Sequence, residues 1–158
     1  MKTFSLLFAL VALTLSSGCL SFPDRGPQTP EDRATLIRSL VTSSTIAGLA
    51  AGFDEDESAE RTEVAGEIIK WTTEAQNAIA EYDDGIKWDH LSLILTSAHP
   101  FLGESPPEVV AAYASAKSIF AIYVRPDETV VDVTSEQLLY VRAFLAGILE
   151  GARPFVLE

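Results

Sequence analysis

"YDDGIKWDHLSLILTSAHPF", Tyr82 to Phe101, is the stretch on which the fold class turns. Leu91, Leu93 and Leu95 alternate as a half-buried strand would. Leu91, Ile94, Leu95 and Ala98 fall instead on one face of a helix. Asp83-Asp84-Gly85 ends whatever precedes it, Asp89 is placed to cap a helix, and Pro100 closes one. No clear strand lies nearby to pair with this segment, and a lone strand has no stability of its own. The stretch is therefore read as a third helix.

Its neighbours are helical on stronger grounds. Thr29-Pro30-Glu31-Asp32 supplies an N-cap, a proline at the first helical position and acids in the first turn. Leu36, Ile37, Leu40, Val41, Ile46 and Leu49 then keep the helical period as far as Gly52. Gly48 and Gly52 form a small-xxx-small pair, a dimer motif in membranes. Here Arg38 and the flanking acids argue against a span, and the pair is read as close packing in a soluble bundle. A second helix runs from the acidic "DEDESAE" (Asp54 to Glu60) to about Tyr82, with Val64, Ile68, Trp71, Ala75, Ile79 and Tyr82 as its apolar stripe. Beside that stripe Glu60, Glu67, Glu74 and Glu81 recur every seventh residue, a solvated face that Lys70 helps to balance.

Beyond Pro100, Ser105-Pro106-Pro107-Glu108 opens a fourth helix, "EVVAAYASAKSIFAIYV". It is apolar on nearly every side and is expected at the centre of the core. Arg125-Pro126 breaks it, and Thr129 to Val133 reads as a short extended link. Thr134-Ser135-Glu136-Gln137 repeats the capping-box pattern and starts a fifth helix through Leu138, Val141, Leu145, Ile148 and Leu149 to Gly151. The expectation is an all-α bundle of about five helices in one domain, residues 30–158. At 158 residues and 47% hydrophobic, the chain has the apolar material for one core.

The N-terminus is of a different kind. Met1-Lys2 makes a positive start, "FSLLFALVALTL" (Phe4 to Leu15) an apolar run, and Ser16, Ser17 and Gly18 follow before Cys19, the only cysteine in the chain. The apolar run is shorter than the roughly 20 residues of a membrane-spanning helix. "LSSGC" resembles the lipobox of bacterial lipoproteins, with the customary leucine displaced by one position, to Leu15. The resemblance covers only the first twenty residues. It implies a signal peptide over 1–18, cleavage between Gly18 and Cys19, and acyl chains on Cys19 that hold the protein to a membrane. Two or three such chains anchor firmly. Leu20, not Asp, follows the cysteine, and under the class's sorting rule that implies the outer membrane, on its periplasmic side. "LSFPDRGPQTP" (Leu20 to Pro30) then serves as a tether, residues 19–29 in the domain division, whose prolines favour an extended path. At about 3.1 Å per residue it holds the domain roughly 30 Å from the bilayer.

Charge and motifs narrow the function. The net charge is −12, and Lys2 is the only charged side chain before Cys19, so the rest of the chain is one unit more negative. Such a surface repels phosphate, and the lysines and arginines form no stripe, so nucleic acid is not an expected partner. The sequence carries no Gly-x-Ser-x-Gly elbow, Ser-x-x-Lys, His-Glu-x-x-His, phosphate-binding glycine loop or Cys-x-x-Cys. His90 and His99 lie too far apart for one helical turn, and a metal site would need them joined by Asp83, Asp84 or Asp89. "FDEDESAERTEV" lacks the glycine and the final glutamate of a calcium loop. No catalytic residue, metal or cofactor is assigned. A carboxylate pair acting on cell-wall glycan is the enzymatic alternative.

The expected function is a non-catalytic, protein-binding accessory or adaptor anchored in the envelope through Cys19. A lipoprotein of a mobile element, serving entry exclusion or lysis, is the alternative within the same class. Trp71, Tyr82 and Trp88 are the candidate partner-binding residues, because large amphipathic rings dominate binding hot spots.

Overall fold

A computed structural model describes residues 29–96, 103, 105–124 and 132–156. Five α-helices account for most of them: α1 (Pro30–Ala51), α2 (Ser58–Ala80), α3 (Trp88–Thr96), α4 (Pro107–Val124) and α5 (Ser135–Ala152). The fold is an all-α bundle. Two three-residue strands, β1 (Gly85–Lys87) and β2 (Asp132–Thr134), add a small antiparallel ladder in which Ile86 faces Val133.

Local chemistry sets where the helices begin. Thr29 accepts from the Asp32 amide at 3.1 Å, and Asp32 accepts from the Thr29 amide at 3.3 Å. Thr134 and Gln137 repeat this reciprocal box at the start of α5. The Gln137 side chain also donates to the Val124 carbonyl at 2.8 Å, so the residue that starts α5 also satisfies the end of α4.

Four long helices form the bundle. Arg33 reaches Glu136 at 3.8 Å, while Gly147 and Gly151 lie against Arg38, Val41, Thr42 and Thr45, so α1 and α5 run parallel. The ring pairs Phe120–Phe144 at 4.9 Å and Tyr123–Tyr140 at 5.9 Å make α4 antiparallel to α5. Contacts from Thr62 to the Phe155 carbonyl and from Arg142 to the Tyr82 carbonyl make α2 antiparallel to it as well. Since α2 and α4 run the same way, the chain must return between them, and α3 lies on that return.

The centre is α5, not α4. Ten of its residues are buried, Tyr140, Phe144, Leu145 and Ile148 among them, and it packs against α1, α2 and α4. The expectation of a buried, central α4 is corrected: Ile122 is 67% exposed and Val110 also faces solvent. Half of the outward positions of α4 are Ala or Ser, small side chains that leave the helix nearly free of charge without requiring burial. Two further boundaries shift. Asp89 lies inside the first turn of α3, which starts at Trp88, and is not its cap. Helix α5 does not stop at Gly151 but continues to Ala152, because Gly151 serves helix contact and not termination.

The Gly48 and Gly52 pair acts as expected within the bundle. A Cβ on Gly48 would stand 2.5 Å from that of Ala112, and one on Gly52 would stand 3.1 Å from Val109, so α1 and α4 touch nearly backbone to backbone. Helix α1 is long and apolar enough to cross a membrane by length and composition. In this fold its Ile37, Val41 and Leu49 are buried in the core.

On the surface Arg38 grips Glu150 with two hydrogen bonds, the Nε one at 2.8 Å. This partner holds the Glu150 carboxyl below the usual glutamate range and raises the Arg38 guanidinium. A carboxyl depressed on folding stabilises the native state above its unfolded pKa and stops doing so as pH falls through its folded one. The stability gap between the native chain and Arg38→Met is therefore expected at pH 6 and should close on acidification below the ordinary glutamate range. Urea titrations at stepped pH would show it, and a gap unchanged at pH 3 would refute it.

Candidate functional site

Of the residues singled out in the sequence, Tyr82, Asp83, Asp84, Trp88, Asp89 and His90 lie at one end of the bundle. There α2 ends at Ala80, the ladder forms, and α3 and α5 begin. Gly85 makes the turn possible. Its φ of +133° is strained for any side chain, and a Cβ would meet the Val133 carbonyl oxygen at 2.6 Å. Ile86 and Val133, both buried, then bind the turn to the core.

Arg142 organises this end. It donates to the Tyr82 carbonyl at 2.8 Å and lies 3.5 Å from Asp83, so one side chain of α5 secures a carbonyl just past the end of α2 and the exposed acid next to it. Gln76, Ala80, Asp83 and Arg142 line an open cleft of about 330 Å³. Its chemistry is that of a shallow polar contact surface: a guanidinium already bridged to a carboxylate, beside an amide and a methyl group. Asp84, Asp89 and His90 are exposed in the segment that follows. Among the described residues no three His, Cys, Asp or Glu side chains converge as metal ligands.

The three aromatic candidates separate. Trp71 is 6% exposed and meets Tyr113 edge to face at 6.4 Å, so it fills the core and is corrected as a partner-binding residue. Tyr82 and Trp88 are half-buried, packed on the core with part of each ring at the surface. Only these two remain as ring contacts for a partner. Gly18, Cys19 and His99 lie outside the described residues. Glu60, Glu67, Glu74 and Glu81 are all exposed along α2, as the seven-residue spacing implied.

A second space lies inside the bundle, an apolar void of about 30 Å³ bordered by Gly48, Leu49, Trp71, Ala112, Tyr113 and Ala116. That is room for little more than a water or two, and the walls offer few polar partners. Burial raises the Tyr113 phenol above its ordinary pKa. Tyr140 is raised too, by burial and by the hydrogen bond it donates to Glu136 at 2.5 Å. Both tyrosines stay neutral donors at physiological pH.

Arg142 is the site residue that sequence reading missed. Its partners are sixty positions away, and a single arginine on an amphipathic helix gives no local sign of what it will meet.

Fold and site together define a small helical bundle with a polar, aromatic-edged surface at one end. No family model matches the sequence, and no curated protein or solved structure is significantly similar to it.

Proposed function

We propose that this chain is a lipid-anchored envelope protein, held by acyl chains on Cys19 on the periplasmic side of an outer membrane, that works as a non-catalytic, protein-binding accessory. The observation that carries the reading is the order of three features: an apolar run, a lone cysteine behind Gly18, and a helical bundle whose first cap is Thr29. In an oxidising compartment a single cysteine has no intrachain disulfide partner, and acylation gives it a use. The binding half of the reading is supported by the bundle end that carries Tyr82, Asp83, Trp88 and Arg142, where two half-buried rings and an open polar cleft lie at the same end.

Two measurements test the halves separately. Labelling with a fatty-acid analogue is expected to mark the native chain and to fail on Cys19→Ala, which stays as uncleaved precursor; an intact mass with a free thiol refutes the anchor. Crosslinking in native envelopes is expected to join the chain to one specific protein, and Trp88→Ala is expected to lose it. If no partner appears and the purified chain cleaves peptidoglycan, the adaptor reading is wrong.

A further inference from the structure

We infer that a second copy of this chain docks on the outer face of α1 and α4, about a two-fold axis that crosses both helices near Ser44 and sets the large side chains of each copy on the small ones of the other. The inference goes beyond the adaptor reading and does not depend on acylation of Cys19.

The contacts of the two helices define the face. Gly48 and Gly52 turn toward Ala112 and Val109 of α4, while Val41 and Thr45 turn toward Gly147 and Gly151 of α5. The next stripe round α1, away from α5, is Leu40, Ser44, Ala47 and Ala51, with Leu36 one turn earlier. On α4, Ala112 turns toward α1 and Phe120 toward Phe144 of α5, so Ala111, Ser115, Ser118 and Ile122 form the matching outer stripe. Ala47, Ala51 and all four of these α4 positions are exposed, Ile122 to 67%. Among the described residues α1 and α4 pack closely only on each other and on α5, which leaves this face open.

Both stripes are large at one end and small at the other, and the ends coincide. Helices α1 and α4 are antiparallel, with Gly48 level with Ala112. Leu36 and Leu40 mirror Ala51 and Ala47 about a point between Ser43 and Ser44, and Ile122 mirrors Ala111 about a point between Ala116 and Lys117. Each point lies four to five residues from the Gly48–Ala112 contact, in the same direction, so the two stand at one level of the bundle. A single two-fold axis through that level sets Leu36, Leu40 and Ile122 of each copy against Ala51, Ala47 and Ala111 of its mate, an isologous contact of ridges on hollows.

Charge favours the same occupant. Two chains of net charge −12 repel each other except where acids are missing. No charged residue lies between Ser39 and Gly52, and Lys117, the one charge between Val109 and Val124, falls on the opposite side of α4 from Ala111 and Ile122. The face runs the 18 residues of α4, about 27 Å, and is two helices or roughly 20 Å wide. It buries about 500 Å² per copy and about 1,000 Å² in all, the threshold of a specific interface, so the dimer is reversible.

The test is crosslinking of the full chain, in the cells that produce it, by a short membrane-permeant bismaleimide, with the native chain as background. Ser44→Cys lies beside the axis and is expected to join to its own copy, whereas Glu67→Cys, exposed on α2, stays at background. Ala111→Cys and Ile122→Cys should each join poorly alone, because the axis holds identical positions about 16 Å apart along the helices. Produced together, the two should crosslink several-fold better than either does alone. Adding Ala47→Glu at the exposed Ala47 should abolish the Ser44→Cys product while the purified chain keeps its helical circular dichroism spectrum. A Ser44→Cys yield no higher than that of Glu67→Cys, or equal yields from mixed and single Ala111→Cys and Ile122→Cys, overturns the inference. So does a Ser44→Cys product that joins only a different protein.

Discussion

Gly147→Ala is expected to destabilise the protein, while Gly66→Ala stabilises it, although both replace a helical glycine by the best helix former. The intrinsic gain is the same at both sites, up to about 1 kcal/mol. At Gly66 nothing lies within 4 Å of the new methyl group, and the gain is realised. At Gly147 the methyl would stand 2.7 Å from the Arg38 carbonyl oxygen and 2.9 Å from the Val41 Cβ. Backbone cannot step aside as a flexible side chain can, so α1 and α5 must separate along their most extensive contact. Overpacking of this kind costs about 1–3 kcal/mol, occasionally more. A bulkier Gly147→Leu should exceed that range. Gly151, whose Cβ would be 2.6 Å from that of Thr45, should behave as Gly147 does. Urea midpoints of the two alanine variants decide the matter: a shift of the same sign at 66 and 147 would mean that the helices do not meet through glycine.

A larger loss is expected from Phe144→Ala. This ring is 2% exposed on the central helix and tilts against Phe120 at 4.9 Å. Truncating a buried phenylalanine costs about 3–5 kcal/mol, the lost transfer energy together with the cavity left behind. Domains of this size hold about 5–15 kcal/mol in all, so the variant should give up a large share of its stability. Ile122→Ala removes apolar atoms from the exposed side of α4 and should stay within about 0.5 kcal/mol of the native chain in solution. The pair tests which helix is central. Comparable losses at both positions, read by thermal or denaturant unfolding, would restore α4 to the middle of the core.

Much of this was legible in the sequence because it depends on neighbours a few residues away. Helix starts at Thr29 and Thr134 follow from the reciprocal bonding of a residue with the one three positions on. Helical periodicity separated Leu91 from Leu93, and the structure buries the first and exposes the second. The glutamates of α2 read as solvated because charge at a seven-residue spacing stays on one side of a helix.

Tertiary structure decided what depends on distance between elements. Thr129 to Val133 reads in the sequence as a bare extended link, whereas Asp132–Thr134 forms a strand, and Gly85–Lys87 carries no strand signal of its own, since three residues are too few for periodicity to register. They form a ladder because the bundle brings two chain segments, some fifty residues apart, to the same end. Arg142 gains its role from α2 in the same way. The order of helices around the core was likewise invisible: overall hydropathy favoured α4, but burial is a property of the surface a helix meets. The sequence by itself determined the helices, their caps and the composition of their faces, all short-range matters of backbone hydrogen bonding and side-chain period. Only the packed structure determined that α5 is the centre and that Gly147 and Gly151 are contact points, because close approach is set jointly by two helices and is written in neither alone.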